Sequence, residues 1–109
     1  MPDSDEITKH LPLTEATYYI LLTLVEPLHG DGVMQKVKAI SQGAVRIGPG
    51  TLYGAFSTLE KEGLIVKVAE QDRRKSYTLT PKGRQLLKAQ IDRFEVMLDN
   101  GRRVRGELD

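Results

Sequence analysis

Between Thr14 and Pro27 almost every position is apolar: Ala16, Tyr18, Tyr19, Ile20, Leu21, Leu22, Leu24 and Val25. Thr14 suits an N-cap, Glu15 suits the positive end of a helix dipole, and Pro27 marks a stop, so the run predicts a helix from Glu15 to Glu26. A helix that is greasy all round is buried on more than one side. In a chain of 109 residues, that second side can be a partner subunit. LHGDG at 28–32 is a turn signal. Val33, Val37 and Ile40 then recur at helical spacing and predict a second helix over 32–40, with Gly43 as its C-terminal cap. Val45–Ile47 is expected to be a short extended piece. Pro49 opens a third helix, 51–62, in which Leu52, Phe56 and Leu59 share one face and Gly63 ends the run.

The period changes after Gly63. LIVKVAE (64–70) and KSYTL (75–79) alternate, and the charged QDRR between them turns the chain, which predicts a β-hairpin. Thr80-Pro81 starts a last helix that runs to about Arg103. On it Leu87, Ile91, Phe94 and Leu98 make a heptad-like seam. The seam is too short for a coiled coil of its own and needs a helix of this or a second chain. Residues 1–12 are expected to be a flexible arm, 13–80 one domain, and 81–109 a C-terminal dimerisation helix with a frayed tail. The fold class is mainly α with a small β-hairpin. In this order of elements the second and third helices form a helix-turn-helix and the hairpin a wing.

The face of the third helix turned from the core is small and mostly uncharged: Thr51, Tyr53, Gly54, Ser57, Thr58 and Lys61. Gly48 and Gly50 let backbone approach a partner closely, and the free N–H groups near Gly50 suit a phosphate. Thr51, Ser57 and Thr58 can bond to phosphates or base edges, and the Tyr53 hydroxyl can reach a phosphate. Gly54 lets the helix sit close. Arg73, Arg74 and Lys75 place three positive charges at the hairpin tip. Each feature alone has an ordinary reading: a tight turn, a half-exposed packing residue, a solvated tip. Together, and in this order, they point to double-stranded DNA.

The net charge of +1 is unevenly spread, at −4 over residues 1–30, +3 over 31–75 and +2 over 76–109. Composition alone therefore does not announce a nucleic-acid partner. Cysteine is absent, which excludes a disulfide framework and fits a cytoplasmic location. The acidic start is unlike a signal peptide, and the longest apolar stretch is too short to span a bilayer, so no membrane role is expected. His10 and His29 stand isolated, without metal-ligand spacing, and look like surface or turn residues. No nucleophile–base pair, Walker loop or dinucleotide fingerprint is present, so neither an enzyme nor a cofactor is expected. The competing reading is a winged-helix module that binds protein without sequence-specific DNA recognition.

LTEATYYILLTLVEPLHGDGVMQKV, RIGPGTLYGAFSTLEKEGLI and RRKSYTLTPKGRQLL resemble the PadR family of bacterial and archaeal winged-helix regulators over roughly residues 13–90. The single C-terminal helix is similar to the family's short subfamily. The resemblance implies a homodimeric repressor whose first and last helices form the dimer and whose third helix reads an inverted repeat. It also implies release by a small aromatic or cationic effector. Carried over, Thr51, Tyr53, Gly54 and Ser57 fall in the recognition helix and Arg73, Arg74 and Lys75 on the wing. Asp31 stands where the family often has an aromatic; an acid there can cap the second helix or repel a phosphate. Tyr18, Tyr19, Leu22, Leu87, Ile91, Phe94, Met97 and Leu98 are the candidates for the dimer interface or an effector pocket. The plainer reading of that set is an ordinary packed interface.

Overall fold

The computed structural model describes residues 4–109. The elements run α1 (Ser4–Thr8), α2 (Glu15–Thr23), β1 (Leu28–His29), α3 (Gly30–Ile40), α4 (Pro49–Lys61), β2 (Ile65–Gln71), β3 (Arg74–Leu79) and α5 (Pro81–Arg105), with a 3-10 turn at Gly106–Leu108. The sheet is antiparallel in the order β1-β3-β2. One core joins all layers: Leu21 and Leu24 from α2, Val33 and Val37 from α3, Leu52 and Phe56 from α4, Leu64 and Leu79 around the hairpin, and Leu86 from α5.

The four predicted helices and the hairpin follow one another in the expected order, while the short strand lies elsewhere than expected. Within the stretch expected to be a flexible arm, Ser4–Thr8 is a helical turn. Its one apolar residue, Ile7, is buried in the core, and Glu6 pairs with Lys82 at 3.1 Å. A single apolar side chain in an acidic segment leaves no periodicity to read. The first three residues lie outside the described residues. Helix α2 stops at Thr23 rather than Glu26 because the sheet takes the next carbonyl. Leu24 O accepts from Leu79 N at 3.0 Å and from Thr78 Oγ1 at 2.9 Å.

The LHGDG turn contains a strand. Leu28 pairs with Tyr77 and His29 with Ser76, which ties the start of α3 to the hairpin. His29 Nδ1 then accepts from Gly32 N at 3.2 Å and caps α3, so the helix begins at Gly30. Val45–Ile47 joins no ladder. Instead Val45 N donates to Ser41 Oγ at 3.0 Å, and buried Val45 and Ile47 pin the loop between α3 and α4. Gln42 and Gly43 both take positive φ there (56° and 79°), and Gly43 N donates to Lys38 O, the helix-ending geometry that Gly43 suggested.

Helix α5 begins on Thr80, whose Oγ1 accepts from Gly83 N at 3.0 Å. Gly83 faces backbone: a Cβ there would lie 2.1 Å from Leu64 O. Further along, Gln90 is buried and its Oε1 accepts from Leu13 N. Beyond Ile91 and Phe94 the helix leaves the body of the protein. The radius of gyration is 15.4 Å and the longest extent 54 Å, against a radius of about 13 Å for a compact chain of this length.

Candidate nucleic-acid interface

Helix α4 presents two unlike faces. Leu52, Phe56 and Leu59 are buried, while Gly50, Thr51, Tyr53, Gly54, Ser57, Thr58 and Lys61 are exposed. Pro49 sits in the first turn and Gly48 takes the N-cap position with no side-chain cap, so the leading N–H groups are left for an outside acceptor. Gly50 and Gly54 have nothing within 4 Å of where a Cβ would stand. Glycine inside a helix costs about 0.5–1 kcal/mol relative to alanine. Nothing in the fold requires that cost at these two positions.

Between α4 and the hairpin lies a groove of about 360 Å³. Tyr53, Phe56 and Tyr77 form its aromatic floor; Ser57, Asp31 and the Arg73-Arg74-Lys75 tip form its polar rim. Its rings meet edge to face for Tyr53–Phe56, with centroids 6.1 Å apart, and tilted for Phe56–Tyr77, with centroids 4.8 Å apart. Burial, with Glu60 adding to it, pushes the Tyr77 hydroxyl above the usual phenol value, so this hydroxyl keeps its proton. Tyr53 lies across the start of α3, where a Cβ on Gly30 would meet its hydroxyl at 2.6 Å.

The wing turns on Asp72 and Arg73, both with positive φ (52° and 66°), between the paired Gln71 and Arg74. Such a two-residue turn matches the twist of the strands. An arginine in the left-handed region is disfavoured relative to glycine, and the position keeps its charge nonetheless. Lys67 is spent locally: it bonds Glu70 at 3.1 Å, which raises the lysine pKa and lowers that of the acid.

The groove thus gathers Tyr53, Ser57, Arg73, Arg74 and Lys75 from the predicted set. Gly50, Thr51 and Gly54 are exposed on α4 outside the groove. Thr58 and Lys61 point towards the N-terminal segment, Thr58 beside Pro12 and Thr17, and Lys61 beside Lys9 and His10. His29 and Asp31 are groove residues that the sequence reading did not place there; a turn signal alone cannot show what the turn packs against. Asp31 does not cap α3, a role His29 fills; it lies 3.8 Å from Arg74. His10 lies in the turn that follows α1, as expected, and is half-buried there. Its Nε2 is buried without a partner among the described residues, and its Nδ1 lies 3.5 Å from Glu62.

The second predicted set divides. Leu87 belongs to this chain's own core, with 6% of its surface exposed. Tyr18, Tyr19, Leu22 and Ile91 are half-buried at its margin. Tyr18 stacks edge-on against Phe94 at 4.8 Å and against Tyr19 at 5.8 Å. Met97 and Leu98 are exposed, at 60% and 52%, on the free half of α5. No group of three or more His, Cys, Asp or Glu able to hold a metal occurs among the described residues. No helix among them is long and apolar enough to cross a membrane.

A helix-turn-helix followed directly by a small antiparallel wing defines the winged-helix class of regulators. Residues 19–89 match the transcriptional regulator PadR-like family, and the chain belongs to that family. That family is one of transcriptional regulators. It is 38% identical over 74 residues to an uncharacterized 37.1 kDa protein in transposon TN4556 of Streptomyces fradiae. The match covers 67% of this chain but only 21%, about a fifth, of that relative's length. Its fold is shared by a transcriptional regulator from Clostridium thermocellum, with TM-score 0.69, 24% identity, and coverage of 94% of this chain and 97% of that one. A PadR-like transcription factor from Bacteroides fragilis also has TM-score 0.69, with 26% identity, 82% of this chain and 88% of that one.

Proposed function

We propose that the chain is a homodimeric DNA-binding repressor that occupies an inverted-repeat operator. Helix α4 enters the major groove and the Arg73-Arg74-Lys75 tip neutralises the neighbouring phosphates. The observation that carries this reading is the exposed face of α4, where Gly50 and Gly54 face open space. A close-approaching partner accounts for glycines that the fold itself does not need. The groove beside it has an uncharged floor and a cationic rim, as a phosphate backbone beside base edges requires.

The dimer half of the reading is supported by α5. Val96, Met97 and Leu98 stand free on a half-helix that no part of the same chain covers among the described residues. A lone helical half-turnout of this kind is marginal in water without a packing partner. At its base a notch of about 330 Å³ is lined by Leu13, Glu15, Tyr18, Tyr19 and Phe94. One carboxylate beside three aromatic rings suits an aromatic cation, through charge and ring-face attraction, and such an effector bound at the subunit boundary would release the operator.

The test is a fluorescence-anisotropy titration on a duplex from the region upstream of the chain's own gene and on a scrambled duplex. Arg73→Ala should weaken both by a similar factor and flatten the log affinity–log salt slope by about 0.9. Tyr53→Ala should weaken the upstream duplex by about tenfold or more while the dimer persists. Equal, weak binding of both duplexes by the native chain would instead favour a protein-binding winged helix.

A further inference from the structure

We infer that Asp31 is an internal competitor for phosphate: it engages the Arg74 guanidinium in the free protein and so limits how strongly the wing grips a duplex. The inference rests on the DNA-binding reading above. Its ground is the position of one acid in a groove whose other charged lining residues, Arg73, Arg74 and Lys75, are cations. Asp31 is the single carboxylate among the described residues lining the groove, opposite Arg73, Arg74 and Lys75. Gly30 lets Tyr53 close over the start of α3 beside it. The Tyr53 ring lies over Gly30 so closely that a Cβ would collide with it, and Asp31, the next residue, lines the same groove. The carboxylate has no capping duty, because His29 Nδ1 receives the Gly32 N–H. It is left facing the wing, with Oδ2 3.8 Å from Arg74 Nη2.

Both partners are more than half exposed, at 55% and 62% of their side-chain surface. An exposed pair of this kind is weak enough to open when a better acceptor arrives. Opening has two consequences, however. Arg74 must give up Asp31 before it can hold a phosphate, and the freed carboxylate then faces the duplex with like charge. Phosphate contacts carry no sequence information, so the restraint falls on every duplex alike. Asp31 sets overall grip and leaves the choice of site to α4.

The experiment uses the full chain, the same upstream and scrambled duplexes, and a salt series. It compares wild type, Asp31→Asn, Arg74→Gln and the double variant. Asp31→Asn should tighten both duplexes by about fivefold, the range an exposed pair can supply, and steepen the salt slope by about 0.9. In the Arg74→Gln background the same change should gain less than about twofold, because the partner is gone. Asp31→Ala repeats the test without a hydrogen-bonding side chain, and a thermal melt of each variant confirms an intact fold. An unchanged or weaker affinity for Asp31→Asn overturns the inference. So does an undiminished gain without Arg74, which would assign the effect to through-space repulsion. If the native chain binds neither duplex, the DNA-binding reading falls and this one with it; native binding with an indifferent Asp31→Asn removes this inference alone.

Discussion

The outer face of α4 and the free half of α5 are equally open to solvent and chemically opposite. Tyr53 is 52% exposed among glycines, hydroxyls and a cationic rim; Leu98 is also 52% exposed, but among Val96 and Met97. Exposure alone therefore says little. What separates the two is the solvent each face could keep: the hydroxyls and charges around α4 remain hydrated until a hydrated, charged partner arrives. The apolar side chains of α5 cost free energy in water, at about 25 cal/mol per Å², until something dry covers them. In the proposed reading, one region meets a polyanion and the other meets its own copy.

The largest effect should come from wetting the dry face. Met97→Glu with Leu98→Glu places two carboxylates where a partner helix would pack. Sedimentation should show a monomer, and affinity for the upstream duplex should fall by more than about a hundredfold, because two half-sites are no longer bound together. A dimer that survives this pair of changes would remove α5 from the interface.

Two glycines give the next comparison. Gly83→Ala should cost about 2–3 kcal/mol of stability in a denaturant melt, since the methyl group meets the Leu64 carbonyl and backbone must move. Gly54→Ala should do the reverse and stabilise the fold by about 0.5–1 kcal/mol, while weakening duplex binding. Opposite signs for stability and affinity at Gly54 would tie that position to a partner; loss of stability there would assign it to the fold.

The sequence made the buried side of α4 legible because Leu52, Phe56 and Leu59 repeat with the helix period, and what they leave over is the exposed side. It could not distinguish Leu87 from Leu98. A heptad seam shows that a helix is covered along a stripe, but not by which chain, and here the stripe starts in the chain's own core and ends outside it. Strand β1 was equally hidden. Two residues carry no alternation, and Leu28–His29 is a strand only because Tyr77 and Ser76 lie alongside. Ile7 and the Asp31–Arg74 pair were invisible for the same reason: each depends on segments far apart in the chain being folded together.

The carbonyl of Leu24 has a mechanical consequence. It closes α2 and at the same time receives two donors from β3, so the helix carrying Tyr18 and Tyr19 and the strand carrying the wing share one anchor. Neither can swing without dragging the other. In the proposed dimer, a tilt imposed where the two copies meet would be passed on to the wing tips, with a lever arm set by the length of the hairpin.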